Sequence, residues 1–307
     1  MKKKISFFIL TILIFVIIIT LFFYFYKNDK DNYSIKGNRI YYSKDRGKVK
    51  YNLILREENF NYSIYNISFY TKKFLEDETK IYGLLFLPKK DYSVPGVVIA
   101  PGGGVEKEKR IDIARFIANS GYSVLVIDQR GIGETGGIYL NLDDDYKMFS
   151  SGKEPIQHLS VYDILRSYDV LKNIKGVDKD NIALVGESMG GRYCIIAGGI
   201  DKRIKGVIVV SSSGFDFKYD PYAPYSTYLL SIDPDNYVDR ISPNYFFMLH
   251  SVNDSVVTLE SAKKTFNKAN EPKNFSIYDD KSCMHGFCEK MYPDIVKYLK
   301  IIFNKTN

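Results

Sequence analysis

The sequence predicts an α/β protein: a mainly parallel sheet with helices on both faces, preceded by one apolar N-terminal helix. Three observations carry this. Beyond Pro88, short continuous apolar runs alternate with amphipathic stretches, as strands buried on both faces alternate with crossover helices. Before Pro88, residues 62–70 and 80–87 read as an antiparallel pair. Residues 5–26 are almost entirely Ile, Leu, Phe, Val and Tyr.

Taken in order, Lys2-Lys3-Lys4 precedes the apolar run Ile5 to Tyr26, which is broken only by Ser6, Thr11 and Thr20. A helix of about 22 residues rises roughly 33 Å, enough to cross a bilayer core. The run ends in Phe22-Phe23-Tyr24-Phe25-Tyr26, where a cleaved signal would need small residues, so an uncleaved anchor is expected over residues 1–26. Aromatic residues there suit a membrane interface, and the leading lysines place the rest of the chain outside the cytoplasm. Residues 27–37 are polar and read as a linker, leaving one domain over 38–307. Within it, 96–100, 122–128, 181–185, 205–211, 245–250 and 274–278 read as strands. The stretches 111–120, 158–175, 189–199, 258–269 and 287–303 read as helices.

The chain has 307 residues, ample for a buried core, and a net charge of +7 with scattered lysines and no basic stripe for nucleic acid. Three cysteines, Cys194, Cys283 and Cys288, are too few for a disulfide scaffold.

The densest chemical signal is Gly186-Glu187-Ser188-Met189-Gly190, entered by an apolar strand and left by a small-residue helix. A strand-to-helix turn this sharp needs glycine on both sides of the serine and presents Oγ at a helix N-terminus. A serine nucleophile needs a base, and the base an orienting acid. Of three histidines, His285 lies in a loop between the last strand and the last helix; His158 and His250 read as structural. Asp254 follows the strand ending at His250. Ser188, Asp254 and His285 therefore each follow a strand at the same rim of the sheet, where parallel sheets handle ligands. Two N–H groups for an oxyanion are expected from Met189 and from the loop Pro101-Gly102-Gly103-Gly104, with Gly103 first and Gly104 second.

With these residues in place, the chain resembles the α/β-hydrolases over about residues 60–303. Among them it is similar to dienelactone hydrolases, acetyl xylan esterases and prolyl-oligopeptidase-like serine hydrolases. The resemblance rests on residues 82–88, the Gly-rich loop, the stretch Asp128-Gln129-Arg130-Gly131-Ile132-Gly133-Glu134-Thr135 and the Gly186–Gly190 elbow. It departs at Pro101, where the family's loop commonly begins with histidine. The resemblance implies that residues 128–135 form a structural loop near the active-site mouth. It also implies that an insertion at about 212–243, rich in Tyr, Phe and Pro, caps the site.

Gly131-x-Gly133-x-x-Gly136 matches a dinucleotide fingerprint, but no helix opens there, so nucleotide binding is not expected. Asp143-Asp144-Asp145 reads as solvated carboxylates in a loop. Cys283-x-His285-x-x-Cys288 lacks a second ligand pair, so no metal is expected; a Cys283–Cys288 disulfide is the open alternative. The expected function is a membrane-anchored serine hydrolase cleaving a carboxylic ester through an acyl-enzyme, without cofactor. Its substrate would be a small-molecule or peptide acyl compound. A serine peptidase and an acyltransferase or thioesterase use the same residues; a non-catalytic binding module is the remaining alternative.

Overall fold

The computed structural model describes residues 13–20, 33–74, 78–217, 220 and 222–304. The strands are β1 (Tyr33–Lys36), β2 (Arg39–Tyr42), β3 (Tyr51–Glu58), β4 (Tyr62–Tyr70), β5 (Lys80–Pro88) and β6 (Val94–Ala100). They continue as β7 (Ser123–Ile127), β8 (Val177–Glu187), β9 (Gly206–Val210), β10 (Tyr245–Ser251) and β11 (Lys273–Tyr278). The helices are α1 (Ile111–Asn119), α2 (Leu142–Ser150), α3 (Ile156–Lys172), α4 (Ser188–Ile200), α5 (Pro224–Ile232), α6 (Leu259–Lys268) and α7 (Tyr292–Phe303).

Nine strands form one sheet in the order β11-β10-β9-β8-β6-β7-β5-β4-β3. Neighbours from β11 through β7 run parallel; β7–β5, β5–β4 and β4–β3 are antiparallel. Side chains alternate between the two faces of a strand, so one apolar strand feeds two cores. On β6, Val98 and Ala100 pack with α3, α4 and α6, while Val97 and Ile99 pack with α1 and α7. This two-sided burial is why the central strands read as unbroken apolar runs. After β6 the chain goes to β7 on one side and returns to β8 on the other. The C-terminal ends of β6 and β8 thus flank a switch point, the usual ligand crevice of such sheets.

Several expectations need amending. Residues 33–36, expected to be linker, pair with Arg39–Tyr42 because Tyr33 anchors them: its ring lies 5.5 Å from that of Tyr42 and its hydroxyl 2.7 Å from His158 Nδ1. The three aspartates are not loop residues but open α2, capped by the Asn141 side chain. Asp145 is buried, accepting from the N–H groups of Ile156 and Gln157 and from Tyr228 Oη. The last helix starts at Tyr292, after a short 3-10 turn, because residues 283–288 are held as a loop by a Cys283–Cys288 disulfide. At the N-terminus, residues 13–20 are helical with exposed apolar side chains. The rest of the expected anchor lies outside the described residues. Among the described residues no helix is long and apolar enough to cross a membrane.

Candidate active site

The elbow joins β8 to α4, and Ser188 there has a φ of 50°, in the left-handed region that a non-glycine residue seldom adopts. Its flanking glycines explain how the turn fits. A Cβ on Gly186 would lie 2.6 Å from Gly191 Cα, and one on Gly190 would overlap the carbonyl oxygens of Ala100 and Pro101.

The three sequence-predicted residues come together. Ser188 Oγ lies 2.9 Å from His285 Nε2, and His285 Nδ1 lies 2.9 and 3.0 Å from the two Asp254 carboxylate oxygens. Asp254 is buried, and its Oδ1 also accepts from the N–H groups of Val256 and Val257, each at 2.9 Å. Burial by itself would raise the carboxyl pKa. The hydrogen bonds from His285, Val257, Ser211 and Val256 outweigh it and hold the group below its ordinary value, ionised beside the imidazole.

Neither of the other two histidines hydrogen-bonds Ser188. Burial, reinforced by nearby Lys72, pushes His158 down to about 3; its ring nitrogens face Tyr33 and Ser231 hydroxyls. His250 is likewise lowered by burial and donates through Nε2 to the Val257 carbonyl oxygen at 2.8 Å. Among the described residues no cluster of His, Cys, Asp and Glu could hold a metal ion.

The Gly-rich loop follows β6 and lies against the start of α4. A Cβ on Gly103 would be 3.2 Å from Met189 Cε, whereas Gly104 turns the chain with a φ of 72°. Buried Gln129 donates to the Pro101 carbonyl oxygen and braces the loop.

Glu187, Arg110 and Ser211 were not singled out by the sequence. The buried Glu187 carboxylate receives Arg110 Nε at 2.6 Å and Nη2 at 2.7 Å. It also receives the N–H of Gly102 and that of Phe287, each at 3.2 Å. One carboxylate beside Ser188 therefore ties together the Gly-rich loop, the His285 loop and Arg110, the residue just before α1. Ser211, with a φ of 51°, accepts from the Gly286 N–H at 2.9 Å and hydrogen-bonds Asp254. The one available signal was Glu187 itself, a carboxylate at the end of a buried strand, which needs a cation. Its partner stands 77 positions away in sequence.

Sheet, crossovers and elbow define an α/β-hydrolase. The chain belongs to the acetyl xylan esterase (AXE1) family, whose model matches residues 44–219, more than half its length. It is a carboxylic ester hydrolase by that membership. The match includes Ser188 and the Gly-rich loop and ends before Asp254 and His285. The uncharacterized protein YfhR of Escherichia coli O157:H7 is 22% identical over 224 residues, covering 70% of this chain and 73% of that protein. Two solved structures share the fold. The acetyl xylan esterase from Paenibacillus sp. R4 superposes with a TM-score of 0.68 at 20% identity, covering 84% of this chain and 90% of that one. Acetyl xylan esterase 1 from Thermoanaerobacterium sp. JW/SL YS485 gives 0.67 at 18% identity, covering 84% and 89%.

Proposed function

We propose that the chain cleaves short-chain carboxylic esters through an acyl-enzyme on Ser188, and that an apolar N-terminal segment tethers it to a membrane with residues 33–304 outside the cytoplasm. His285 takes the Ser188 proton as Oγ attacks the carbonyl carbon. Asp254 orients the ring and stabilises the imidazolium that forms. The N–H groups of Met189 and Gly103 receive the developing oxyanion; the first is unsatisfied within its helix because it lies in the first turn. His285 then protonates the leaving alcohol, and water attacks the ester on Ser188 with the same histidine as base. The observation that carries this reading is the continuous hydrogen-bonded line from Ser188 Oγ at 2.9 Å through His285 to a carboxylate held ionised. A short acyl group is supported by the family and by the names of the two structural relatives. The tether is supported by residues 5–26 and by the disulfide, since such bonds persist in oxidising compartments.

The test is hydrolysis of p-nitrophenyl acetate, butyrate and laurate beside aminoacyl p-nitroanilides. Acetate and butyrate should be cleaved with the higher kcat/KM, and Ser188→Ala and His285→Ala should each lose about 10⁴-fold or more in kcat. Faster anilide than ester cleavage would make the chain a peptidase instead.

A further inference from the structure

Arg192 is a charge close to Ser188 that the acyl transfer leaves unused. It lies one turn along α4 from Ser188, about 6 Å along the helix axis. A helical side chain also leans back toward its helix's N-terminus, which here is the nucleophile's end. The segment after β9 links the two sites. Ser211 Oγ receives the N–H beside His285, Ser212 Oγ donates to the Ser188 carbonyl oxygen at 2.9 Å, and the Ser213 carbonyl accepts from Arg192 Nε at 3.0 Å. The guanidinium lies 3.9 Å from the Phe215 ring centroid, and Phe215 stacks on Phe217 at 4.7 Å. Nε and one flat face are thereby fixed. The two Nη groups have no hydrogen-bond acceptor among the described residues.

Other inward-facing arginines are compensated. Arg46 and Arg130 pair with Asp169 and Asp163, each at 2.6 Å, and Arg110 pairs with Glu187. Arg166 donates to four backbone carbonyls instead. Arg192 has a single carbonyl and, among the described residues, no carboxylate within 4.0 Å. The carboxylates that act on it from farther away lie beyond ion-pair distance: Asp233 Oδ1 accepts from the Phe215 and Asp235 N–H groups, and Asp235 Oδ2 pairs with Lys268 at 2.8 Å while its Oδ1 is buried without a partner among the described residues. Burial lowers the Arg192 pKa, the sign of a desolvated positive charge without full compensation.

We propose that Arg192 is an anion-recognition residue of this active site, so that the preferred ester carries a carboxylate near its scissile bond, in its acyl or its alcohol part. A guanidinium with both Nη groups free presents the fork that binds carboxylate in two parallel hydrogen bonds. The stacked Phe215 and Phe217 hold that fork in place. This assignment rests on Ser188 being the nucleophile.

The test compares kcat/KM within two matched pairs. 4-Nitrophenyl butyrate against 4-nitrophenyl hemisuccinate puts the charge on the acyl side, and phenyl acetate against 4-acetoxybenzoate puts it on the alcohol side. The anionic member should win by about tenfold or more in one pair, which also tells the two sides apart. That ratio should fall to near unity in Arg192→Gln and take an intermediate value in Arg192→Lys, which keeps the charge and stem and so guards against a folding defect. A preference for the neutral ester in both pairs, or an anionic preference undiminished in Arg192→Gln, would overturn the assignment with the Ser188 reading intact. Absence of Ser188-dependent turnover of all four esters would overturn both.

Discussion

Ser188 holds a backbone conformation that costs a non-glycine residue of order 1–3 kcal/mol, and the residues around it keep it there. Glu187 does most through side-chain contacts, since four donors from three separate segments converge on its carboxylate. Replacing it with glutamine keeps the shape but leaves Arg110 without a counter-charge and sets an NH2 group against N–H donors. Glu187→Gln should lose about 2–4 kcal/mol of stability, read by chemical denaturation. Its kcat for p-nitrophenyl acetate should drop about tenfold or more, with a smaller change in KM, because the displaced groups act on the transition state. A variant melting earlier with unchanged kcat would mean that Glu187 only holds the fold. At this scale the sequence was informative wherever a residue's role followed from its place after a strand. Ser188, Asp254 and His285 each end a predicted strand or its loop, so order alone proposed their meeting. The Glu187–Arg110 pair and the Ser211 bridge depend on which loops the fold brings side by side, and no local pattern reports that.

Among elements, the loop from Cys283 to Cys288 matters most, because it carries His285 between two bonded sulfurs whose Cα atoms are 5.4 Å apart. Closing so short a loop stabilises by about 2 kcal/mol on chain-entropy grounds. The paired substitution Cys283→Ser/Cys288→Ser should therefore lower Tm by several degrees and kcat several-fold, in thermal melts and ester assays run side by side. Equal melting and equal rates would show that the bond does not set the histidine. Strands β6, β7, β9 and β10, and residues 182–185 of β8, were legible because burial on both faces leaves an apolar run in each. Strand β3 was not, since Tyr51–Glu58 lies at the sheet edge with nearly every side chain exposed, and its Leu53, Ile54 and Leu55 run together without the alternation of a half-buried strand. Helix α2 was hidden by its own cap: Asn141 and three aspartates look like a loop until Asp145 is seen turned inward to the start of α3 and to Tyr228. Helix α5 was masked in the same way by prolines and tyrosines that also suit a long irregular cap.

At the scale of the whole molecule, the sheet carries a separate apolar core on each face, and the site lies along the C-terminal rim where β6, β8, β10 and β11 end. The residues that hold the rim together are spread from Gly102 to Phe287, so the site forms only when the sheet is complete. The proposed tether adds an external constraint that right-side-out vesicles can check. Added protease should digest the hydrolase part once it is unfolded by mild heating, without membrane lysis. Protection that persists until detergent is added would place this part on the cytoplasmic side.

In the proposed reaction one serine, activated through His285, forms the covalent intermediate. Reaction of detergent-solubilised protein with a fluorophosphonate, followed by peptide mass mapping, identifies that serine. A single adduct is expected on the peptide holding Ser188, lost in Ser188→Ala and formed far more slowly in His285→Ala. An adduct on a different serine, or labelling that survives in Ser188→Ala, would contradict it.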